Sequence, residues 1–409
     1  MMTSRLPAPD PDAAAHARRV AAHVSQAIAA HGPMPFDRYM GLVLYAPGLG
    51  YYSAGSRKFG ASGDFVTAPE LGPAFAHGVA HFAAAVARTL GDDWSLLEIG
   101  GGSGALAADL LLALAQRGCL PRRYAVLDIS AELRARQRET IASRCPQLLE
   151  RVDWLDAPPT EDWRGVLVAN EVIDALPASR FVVRQADDGG ADDAPALYEQ
   201  CVTTTGDGGA FAWHERPASA ALAAAVEQRL GKRLRALPKP YRSELHVQLA
   251  PWLEAVTERL RAGAALFVDY GYPRHEYYAA ERRDGTLVCH YRHHAHGDPL
   301  VLPGLQDITA FVDFTALAEA ATAAGLDVAG YTSQAQFLLG NDIEGFMAAA
   351  DTLDTAGRMR HANAVKRLML PGQMGERFQV MALTRGIDAE LPGFDHDLRY
   401  RLSGTDDAA

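Results

Sequence analysis

The segment around residue 100 is the part of the sequence best suited to hold a reactive ligand. Residues 97–99 have the pattern of a short strand, and Gly100, Gly102 and Gly104 follow it before an Ala- and Leu-rich helical stretch. Glycines in a strand-to-helix turn let the backbone approach a ligand closely, and the free N–H groups at the start of a helix favour an anion. We therefore predict a cofactor-binding loop here rather than a simple turn.

Two cofactors use this layout. The spacing Gly-x-Gly-x-x-Ala over residues 100–105 fits a dinucleotide fingerprint, and the spacing Glu-x-Gly-x-Gly-x-Gly over residues 98–104 fits an S-adenosylmethionine loop. Glu98 favours S-adenosylmethionine, because a carboxylate there can hold the ammonium of the cofactor's amino-acid part but would repel a pyrophosphate. Asp128, at the end of the next strand, can accept hydrogen bonds from the ribose hydroxyls of either cofactor and does not discriminate between them.

A second polar segment, residues 170–177, follows the apolar run of a later strand. It begins with Asn170 and includes Glu171 and Asp174. Doubly wound folds bind their ligands at the carboxyl ends of the strands, and carboxylates beside a methyl donor would suit the orientation of a nucleophilic nitrogen. A helix cap or a surface salt bridge is the alternative role for Glu171 and Asp174.

The elements that must position these residues are those of a parallel α/β protein, since short apolar runs alternate with amphipathic helices from Trp94 onward. The predicted strands are Ser95–Ile99, Tyr124–Leu127, Gly165–Ala169, Ala264–Tyr270 and Phe378–Leu383. The predicted helices are Ala13–Ala30, one beginning near Pro35, Pro73–Leu90, Ala105–Arg117, Ser130–Ser143 and Pro251–Arg261. A glycine-rich loop over residues 45–63 is long enough to be functional.

The pattern divides the chain into a helical and loop region over residues 1–90, an α/β domain over 91–385 and a tail over 386–409, which we expect to be frayed after Gly404. Insertions interrupt the α/β domain at about 185–216 and 272–311. The turn clusters of the first predict an acidic hairpin that projects from the core. A connection as long as the second usually covers a site or packs on a partner.

Composition limits the possible partners. The chain has 409 residues and a formal net charge of -11, so it lacks a general basic surface and we do not expect nucleic acid as its principal partner. We find neither an export signal in the first twenty residues nor an apolar run long enough to span a membrane. The four scattered cysteines indicate reduced thiols, and together these features predict a cytoplasmic protein.

Two further groups of side chains have a structural and a functional interpretation. The histidine-rich segment 289–296 lacks a second ligand cluster that could complete a tetrahedral set, so we predict a solvated loop and no metal site. Tyr51 and Tyr52 are predicted to anchor their loop on the core, and the alternative is that they line a substrate channel. The Ala-rich helices allow a homodimer.

An ordered series of motifs resembles the MidA family, which includes bacterial members and the mitochondrial arginine methyltransferase needed for the assembly of respiratory complex I. The matching segments are Gly32–Met34, Pro47–Tyr52, Gly63–Glu70, the glycine loop, Asn170–Pro177, Asp269–Gly271 and Asp307–Phe314. The resemblance implies a class I, Rossmann-like methyltransferase with a doubly wound seven-strand sheet, an N-terminal helical region and insertions that form a substrate cleft. It implies S-adenosyl-L-methionine as cofactor and a protein arginine as substrate, with a respiratory complex subunit as the candidate.

The resemblance also assigns roles to particular residues. The implied cofactor-binding residues are Thr67, Pro69, Glu70, Glu98, Gly100, Gly102, Gly104, Asp128, Ile129 and Asn170. Glu171 and Asp174 are then the candidate catalytic residues, because carboxylates can grip a guanidinium and take its proton. The chain departs from the family at Gly101 and Ser103, where relatives often carry Pro and Arg, and at Asp128, where they often carry Glu.

Two other functions fit parts of the pattern. The first is an assembly chaperone that binds S-adenosylmethionine but does not need catalysis for its function. It would bind a client protein through the acidic hairpin and the histidine-rich segment. The second is an NAD-dependent oxidoreductase, which is weakened by the lack of a Tyr-x-x-x-Lys pair after the fourth strand region.

Overall fold

The computed structural model describes residues 6–54, 67–185, 195–206 and 210–403. Parts of four predicted features lie outside these ranges: the end of the glycine-rich loop, residues 63–66 of the motif that follows it, the turns of the acidic hairpin and the tail after Gly404. All statements below concern the described residues.

The secondary structure follows the alternation predicted from the sequence. The strands are β1 (Met34–Pro35), β2 (Ser95–Ile99), β3 (Arg123–Leu127), β4 (Val152–Leu155), β5 (Trp163–Asn170), β6 (Ser179–Arg184), β7 (Ala196–Thr205), β8 (Ala210–Pro217), β9 (Tyr241–Leu245), β10 (Leu260–Tyr272), β11 (Val288–Tyr291), β12 (His294–His296), β13 (Asp307–Thr309), β14 (Val312–Asp313), β15 (Asp327–Ser333) and β16 (Phe378–Arg385). The helices are α1 (Pro11–His31), α2 (Phe36–Tyr45), α3 (Ala74–Leu90), α4 (Ala105–Gln116), α5 (Ala131–Arg144), α6 (Ala220–Leu230), α7 (Arg233–Ala236), α8 (Leu249–Thr257), α9 (Arg274–Tyr277), α10 (Phe314–Ala323), α11 (Gln334–Leu339), α12 (Ile343–Ala349) and α13 (Thr355–Met369).

The central sheet has the strand order β15-β16-β10-β5-β2-β3-β4, with β14 paired to the end of β10. The seven strands of this order run parallel except β16, which is antiparallel to both of its neighbours. The chain order reverses direction between β2 and β5, and ligands bind at such a switch point outside the carboxyl ends of the strands. The predicted doubly wound, seven-strand α/β fold is confirmed.

The central sheet is buried on both faces, which explains why its strands read as short continuous apolar runs. Helices α3 and α4 pack on one face in an apolar cluster with β2, β5 and β10, and α8 and α10 cover the other face. Ser130 caps α5 as predicted, because its side chain accepts a hydrogen bond from the backbone N–H of Leu133. These layers fix the strand ends that carry the polar segments.

The first insertion is not a hairpin that projects from the core, so that prediction was wrong. Strand β7 pairs with β8 but also with β6 and β1, and it lies inside a second sheet of order β1-β7-β6-β9. Cys201 and Val202 of β7 are buried against α2 and neighbouring residues. The turn clusters indicated the hairpin correctly, whereas the partners of β7 lie far away in sequence and leave no local pattern.

Two smaller predictions also need correction. Helix α8 ends at Thr257 rather than Arg261, because Leu260 already begins β10 and pairs with Trp163. The histidine-rich segment is not a solvated loop: β11, β12 and β13 form a third sheet, in which Cys289 is fully buried. The connection that contains this sheet covers one side of the central cavity, as the length of the segment predicted.

The terminal regions pack on different layers. Helices α1 and α2 form an apolar cluster with the second and third sheets, whereas α3 belongs to the cluster of the central sheet. Phe394, beyond the last strand, packs against Phe82 and Phe337. The domain limits at residues 90 and 385 stay a prediction. Within the described ranges, no helix is both long and apolar enough to cross a membrane.

Glu244 is the residue whose loss should weaken the second sheet most clearly. It is fully buried on β9, where its carboxylate accepts hydrogen bonds from Arg180 Nε at 2.9 Å and from the backbone N–H of Thr286 at 2.8 Å. Glu244→Leu leaves the Arg180 guanidinium buried and unpaired, so the free energy of unfolding should fall by about 3–5 kcal/mol in urea titrations.

A matched variant distinguishes this effect from the loss of any ion pair. Glu215 pairs with Arg184 at 2.8 Å on the exposed side of the same sheet, and Glu215→Leu should cost less than about 1 kcal/mol. Equal losses for the two variants would contradict a structural role for the buried pair.

Candidate active site

A cavity of about 1000 Å³ lies at the carboxyl edge of the central sheet. Its walls come from the ends of β2, β3, β5 and β10, the turn at residues 67–70, the third sheet and the segment that follows α13. All ten predicted cofactor-binding residues except Gly104 line it, and so do Glu171 and Asp174. Topology therefore brings the sequence-predicted site residues together.

The glycine loop forms the floor of this cavity. Gly100, Gly102 and Gly104 have positive φ angles of 69°, 52° and 84°, which L side chains rarely adopt. A Cβ atom on Gly104 would lie 2.8 Å from Gln137 Cα, and one on Gly101 would lie 2.7 Å from Val126 Cγ1. The loop can therefore pack between β3 and α5 and expose its backbone to a ligand only because side chains are absent.

Asp128 is held rigidly at the end of β3. Its Oδ1 accepts a hydrogen bond from the backbone N–H of Ser130 at 2.9 Å, and its Oδ2 accepts one from Gln137 Nε2 at 2.8 Å. Gln137 also donates to the Gly102 carbonyl at 3.2 Å and accepts from Trp154 Nε1 at 3.0 Å. Gln137 was missed in the sequence, because nothing local marks a helix residue that joins two loops.

Ile129 supplies an apolar surface next to Asp128. Its side chain is 64% exposed although it lies at the edge of the cavity. Leu133, Pro158 and Trp252 line the same cavity. An apolar wall beside a carboxylate is what a purine ring and its ribose require.

Glu98 is buried at the end of β2 and lines the cavity near the glycine loop. Tyr124 donates a hydrogen bond to its Oε2 at 2.7 Å. Burial and the nearby Asp128 raise the pKa of Glu98 to about 7, against the opposing effect of the Tyr124 hydrogen bond. A cationic group in the cavity would stabilise the charged form, so Glu98 suits an ammonium better than a pyrophosphate.

The turn at residues 67–70 faces the glycine loop. Ser103 donates a hydrogen bond to the Glu70 carboxylate, and the backbone N–H of Ala68 lies 3.4 Å from Glu171 Oε1. Thr67 and Pro69 line the cavity beside them. The turn thus links the glycine loop to the carboxylate segment, and Ser103, one of the departures from the family, takes part in that link.

Glu171 and Asp174 lie on a tight loop after β5. Glu171 has a positive φ of 53°, which is unusual for a residue with a side chain, and Asn170 Nδ2 donates to its Oε1 at 3.2 Å. Asp174 is only 3% exposed. Neither carboxylate forms an ion pair with a described residue, so the surface salt bridge considered above is absent from this part of the chain.

The electrostatics of these two groups are unusual. Burial raises the pKa of Glu171 to about 8, and the nearby Asp174 adds to the shift. Burial also raises the pKa of Asp174, against the hydrogen bond that Tyr270 donates to its Oδ2. Both groups are costly to ionise while the cavity holds no cation, and a bound cation would reverse that cost.

Asp269 is the site residue that sequence reasoning missed most clearly. It is buried at the end of β10, and its Oδ2 accepts hydrogen bonds from the backbone N–H groups of Val172, Ile173 and Asp174 at 3.2, 2.9 and 3.3 Å. Its Oδ1 accepts from the backbone N–H of Tyr270 at 3.0 Å. Asp269 therefore fixes the loop of Glu171 and Asp174, and its only signal was its place in the family motif Asp269–Gly271.

Tyrosines close the far side of the cavity. Tyr52 donates a hydrogen bond to Asp307 Oδ1 at 2.8 Å and stacks on Tyr45, with ring centroids 5.5 Å apart. Tyr45 donates to the Ala175 carbonyl at 2.7 Å. Tyr51 is buried in the core as predicted, whereas Tyr52 lines the cavity.

Carboxylates and a histidine, residue types that bind metal ions, line the cavity. In the described ranges, no group of three or more His, Cys, Asp or Glu side chains is placed to hold a metal ion. His290 lines the cavity, and burial together with His296 lowers its pKa.

The residues present fit S-adenosylmethionine. We propose that Asp128 and Ile129 would hold the nucleoside and that Glu98 and the glycine loop would hold the amino-acid part. Asn170 also lines the cavity, and its buried Oδ1 has no hydrogen-bond partner among the described residues. The Gly-x-Gly-x-x-Ala interpretation requires a pyrophosphate beside Glu98, which the buried carboxylate disfavours.

Fold and site together define a class I methyltransferase. Residues 78–332 match the model of the family described as "Putative S-adenosyl-L-methionine-dependent methyltransferase". The chain belongs to this family, which confirms the resemblance to the MidA family and S-adenosyl-L-methionine as the cofactor. The oxidoreductase alternative is therefore wrong.

Known relatives agree with this assignment. The chain is similar to a Burkholderia thailandensis protein whose crystal structure contains S-adenosyl-homocysteine, with 46% identity and a TM-score of 0.88 over 96% of this chain and 98% of that one. It is 27% identical to the mitochondrial protein arginine methyltransferase NDUFAF7 of Mus musculus, over 88% of this chain and 83% of the relative. The Bos taurus protein of the same name is 26% identical over 93% and 86%.

The role of Asp269 can be tested by measuring the stability of protein variants. Asp269→Ala leaves the three N–H groups of the loop without their acceptor, so unfolding in urea should require about 2–4 kcal/mol less free energy. Asp269→Asn keeps one acceptor oxygen and should lose less. Asp156 lines the same cavity but is exposed, and Asp156→Ala should change stability by less than about 0.5 kcal/mol. If Asp269→Ala and Asp156→Ala lose the same free energy of unfolding, the loop does not depend on Asp269.

Proposed function

We propose that this methyltransferase acts on the guanidinium group of an arginine in a protein substrate. One observation carries the proposal: the buried Asp174 and the half-buried Glu171 both line the cofactor cavity, and no described cationic side chain is paired with them. Such carboxylates are stable in the charged form only if a ligand brings the cation. The names of the curated relatives, which are protein arginine methyltransferases, support the same substrate.

A guanidinium is the cation that fits two carboxylates best. It stays charged at neutral pH, and its planar set of N–H donors matches carboxylate oxygens in pairs. Glu171 and Asp174 would bind it from the loop that Asp269 fixes. Tyr45 and Tyr52 would exclude water on the other side of the cavity. An ammonium, with one compact charge, would leave part of this acceptor set unused.

Bound S-adenosylmethionine supplies an electrophilic methyl group attached to a sulfonium. The residues of the chain must hold one guanidinium nitrogen in line with that group, and such positioning provides most of the rate. As the new N–C bond forms, the S–C bond breaks and its electron pair goes to sulfur. The nitrogen must lose a proton, and Glu171 accepts it, since its raised pKa makes it a useful base near neutral pH.

The biological setting is a further part of the proposal. From the resemblance to the MidA family we infer a respiratory complex subunit as substrate. A bacterial neighbour at 46% identity supports a cytoplasmic location, in contrast to the mitochondrial relatives. A homodimer would have to use α1 or another exposed surface, because α3 is buried within the chain.

Substitution of Glu171 tests the proposed reaction. Glu171→Gln keeps the size of the side chain but removes its charge and basicity, so methylation of arginine peptides should fall by about 100-fold or more. A tritiated methyl donor measures the rate, and calorimetry with S-adenosylhomocysteine shows whether the cofactor site is intact. Glu132→Gln, at an exposed site on α5, is the matched control and should keep the wild-type rate. Wild-type methylation by Glu171→Gln would remove Glu171 from the mechanism.

The pH dependence of the wild type, compared with that of Glu171→Gln, is a second test. Glu171 must be deprotonated to hold a guanidinium, so kcat/KM of the wild type should rise with pH through about 8. The folded-state pKa lies above the unfolded value, so the empty protein holds the extra proton and its stability should fall as pH rises toward 8. Glu171→Gln should lose the rise in kcat/KM, and its stability should fall less steeply above pH 7, where the remaining trend comes from groups such as Glu98 with a pKa of about 7. A wild-type profile that is flat between pH 7 and about 9 would contradict the assignment.

A further inference from the structure

The segment from α13 to the start of β16 has a charge opposite to that of the rest of the chain. Residues 355–377 contain five lysines and arginines and one acidic residue, Glu376, although the whole chain carries a formal charge of -11. The five are Arg358, Arg360, Lys366, Arg367 and Arg377, and all are exposed. We refer to these five residues, together with Met359 and Leu370, as the basic face.

Internal ion pairs do not explain these charges. None of the five forms an ion pair with a carboxylate in the part of the chain that the structure describes. Lys366 and Arg367 lie in the last turn of α13, where cations stabilise the helix dipole, but Arg360 lies more than one turn before it and gains nothing from the dipole. The exposed cations are therefore available to a partner.

Apolar side chains lie among the cations. Met359, on α13, is 67% exposed, and Leu370, the residue that directly follows the helix, is 41% exposed. Exposed apolar area of this kind costs about 25 cal/mol per Å² and is recovered when a partner covers it. A partner that fits the basic face thus combines acidic and apolar side chains.

The basic face leads into the active-site cavity. Arg367, Met374 and Arg377 line the cavity that also contains Glu171 and Asp174. The cavity therefore has an acidic interior and a basic edge on this side. A chain that placed a cation inside would place its neighbouring residues along the edge.

We propose that the basic face docks the segment of the protein substrate that flanks the target arginine, and that this segment is acidic with interspersed apolar residues. The inference rests on the proposed arginine methylation and narrows its substrate class. The peptide's arginine would bind in the acidic cavity, and its carboxylates would bind the cations of α13. These two contacts of opposite charge would set the register of the peptide. Substrates with basic flanks would be repelled at the edge.

Three labelled peptides test the docking surface by fluorescence anisotropy, with S-adenosylhomocysteine present. They share a central Gly-Arg-Gly and differ in flanks of Asp and Leu, Ser and Gly, or Lys and Leu. The wild type should bind the acidic peptide about tenfold more tightly than the neutral one, and the difference should shrink at high salt. The charge reversal R360E/K366E, at two residues that do not line the cavity, should abolish or invert this preference.

The matched control is R18E/R88E, which reverses two exposed arginines on α1 and α3 that have no ion pair with a described residue. It changes the net charge by the same amount and should keep the wild-type preference. Equal affinity for all three peptides, or the same loss in both double variants, would overturn the proposal. Tighter binding of a single-stranded oligonucleotide or of phosphatidylglycerol vesicles that depends on Arg360 and Lys366 would also overturn it.

A tritiated methyl donor with the same peptides separates this proposal from the proposed function. Methylation of all three peptides at equal kcat/KM would refute the docking surface and leave arginine methylation standing. Charge-dependent binding without methyl transfer to any peptide would refute arginine methylation, and the basic face would then be a docking surface for a protein that is not an arginine substrate.

Discussion

The organisation of the site depends on the cost of burying carboxylates without a cation. Glu171, Asp174 and Asp269 lie together at the ends of β5 and β10, and burial raises the pKa of each. Carboxylates with pKa values shifted in this way are concentrated at functional sites, where they are retained at the expense of stability. Asp269 accepts hydrogen bonds from three backbone N–H groups of the loop, and these bonds keep the loop in place despite this cost. The acidic interior therefore exists before any ligand binds.

The fold places this acidic cluster next to the cofactor loop with very few elements. Strand β2 lies between β5 and β3, so the glycine loop has the carboxylate loop on one side and Asp128 on the other. Gln137 joins Asp128 to the glycine loop, and Ser103 joins the glycine loop to the turn at residues 67–70. The inserted sheets then cover the opening. These hydrogen bonds connect Asp128, the glycine loop and the turn at residues 67–70, which in turn contacts Glu171.

The sequence predicts the parts of this arrangement that local patterns encode. The glycine loop, the Ser130 cap and the strands predicted to end at Ile99, Leu127 and Ala169 follow from residue types and their local spacing. The second sheet could not be predicted, because β7 lies between β1 and β6 and no short-range pattern records that pairing. Asp269 and Gln137 escaped notice for a related reason: each acts on a loop about 95 or 35 residues away in the chain, which only the folded structure reveals.

We propose that the acidic cluster holds a proton when it is empty and releases that proton when it binds a guanidinium. Calorimetry of acetyl-Gly-Arg-Gly-amide binding to the protein with S-adenosylhomocysteine, at pH 7 in buffers of different ionisation enthalpy, counts that proton. The pKa of Glu171 at about 8 predicts the release of nearly one proton per peptide, and none from Glu171→Gln. Binding that releases no proton from the wild type would contradict the account.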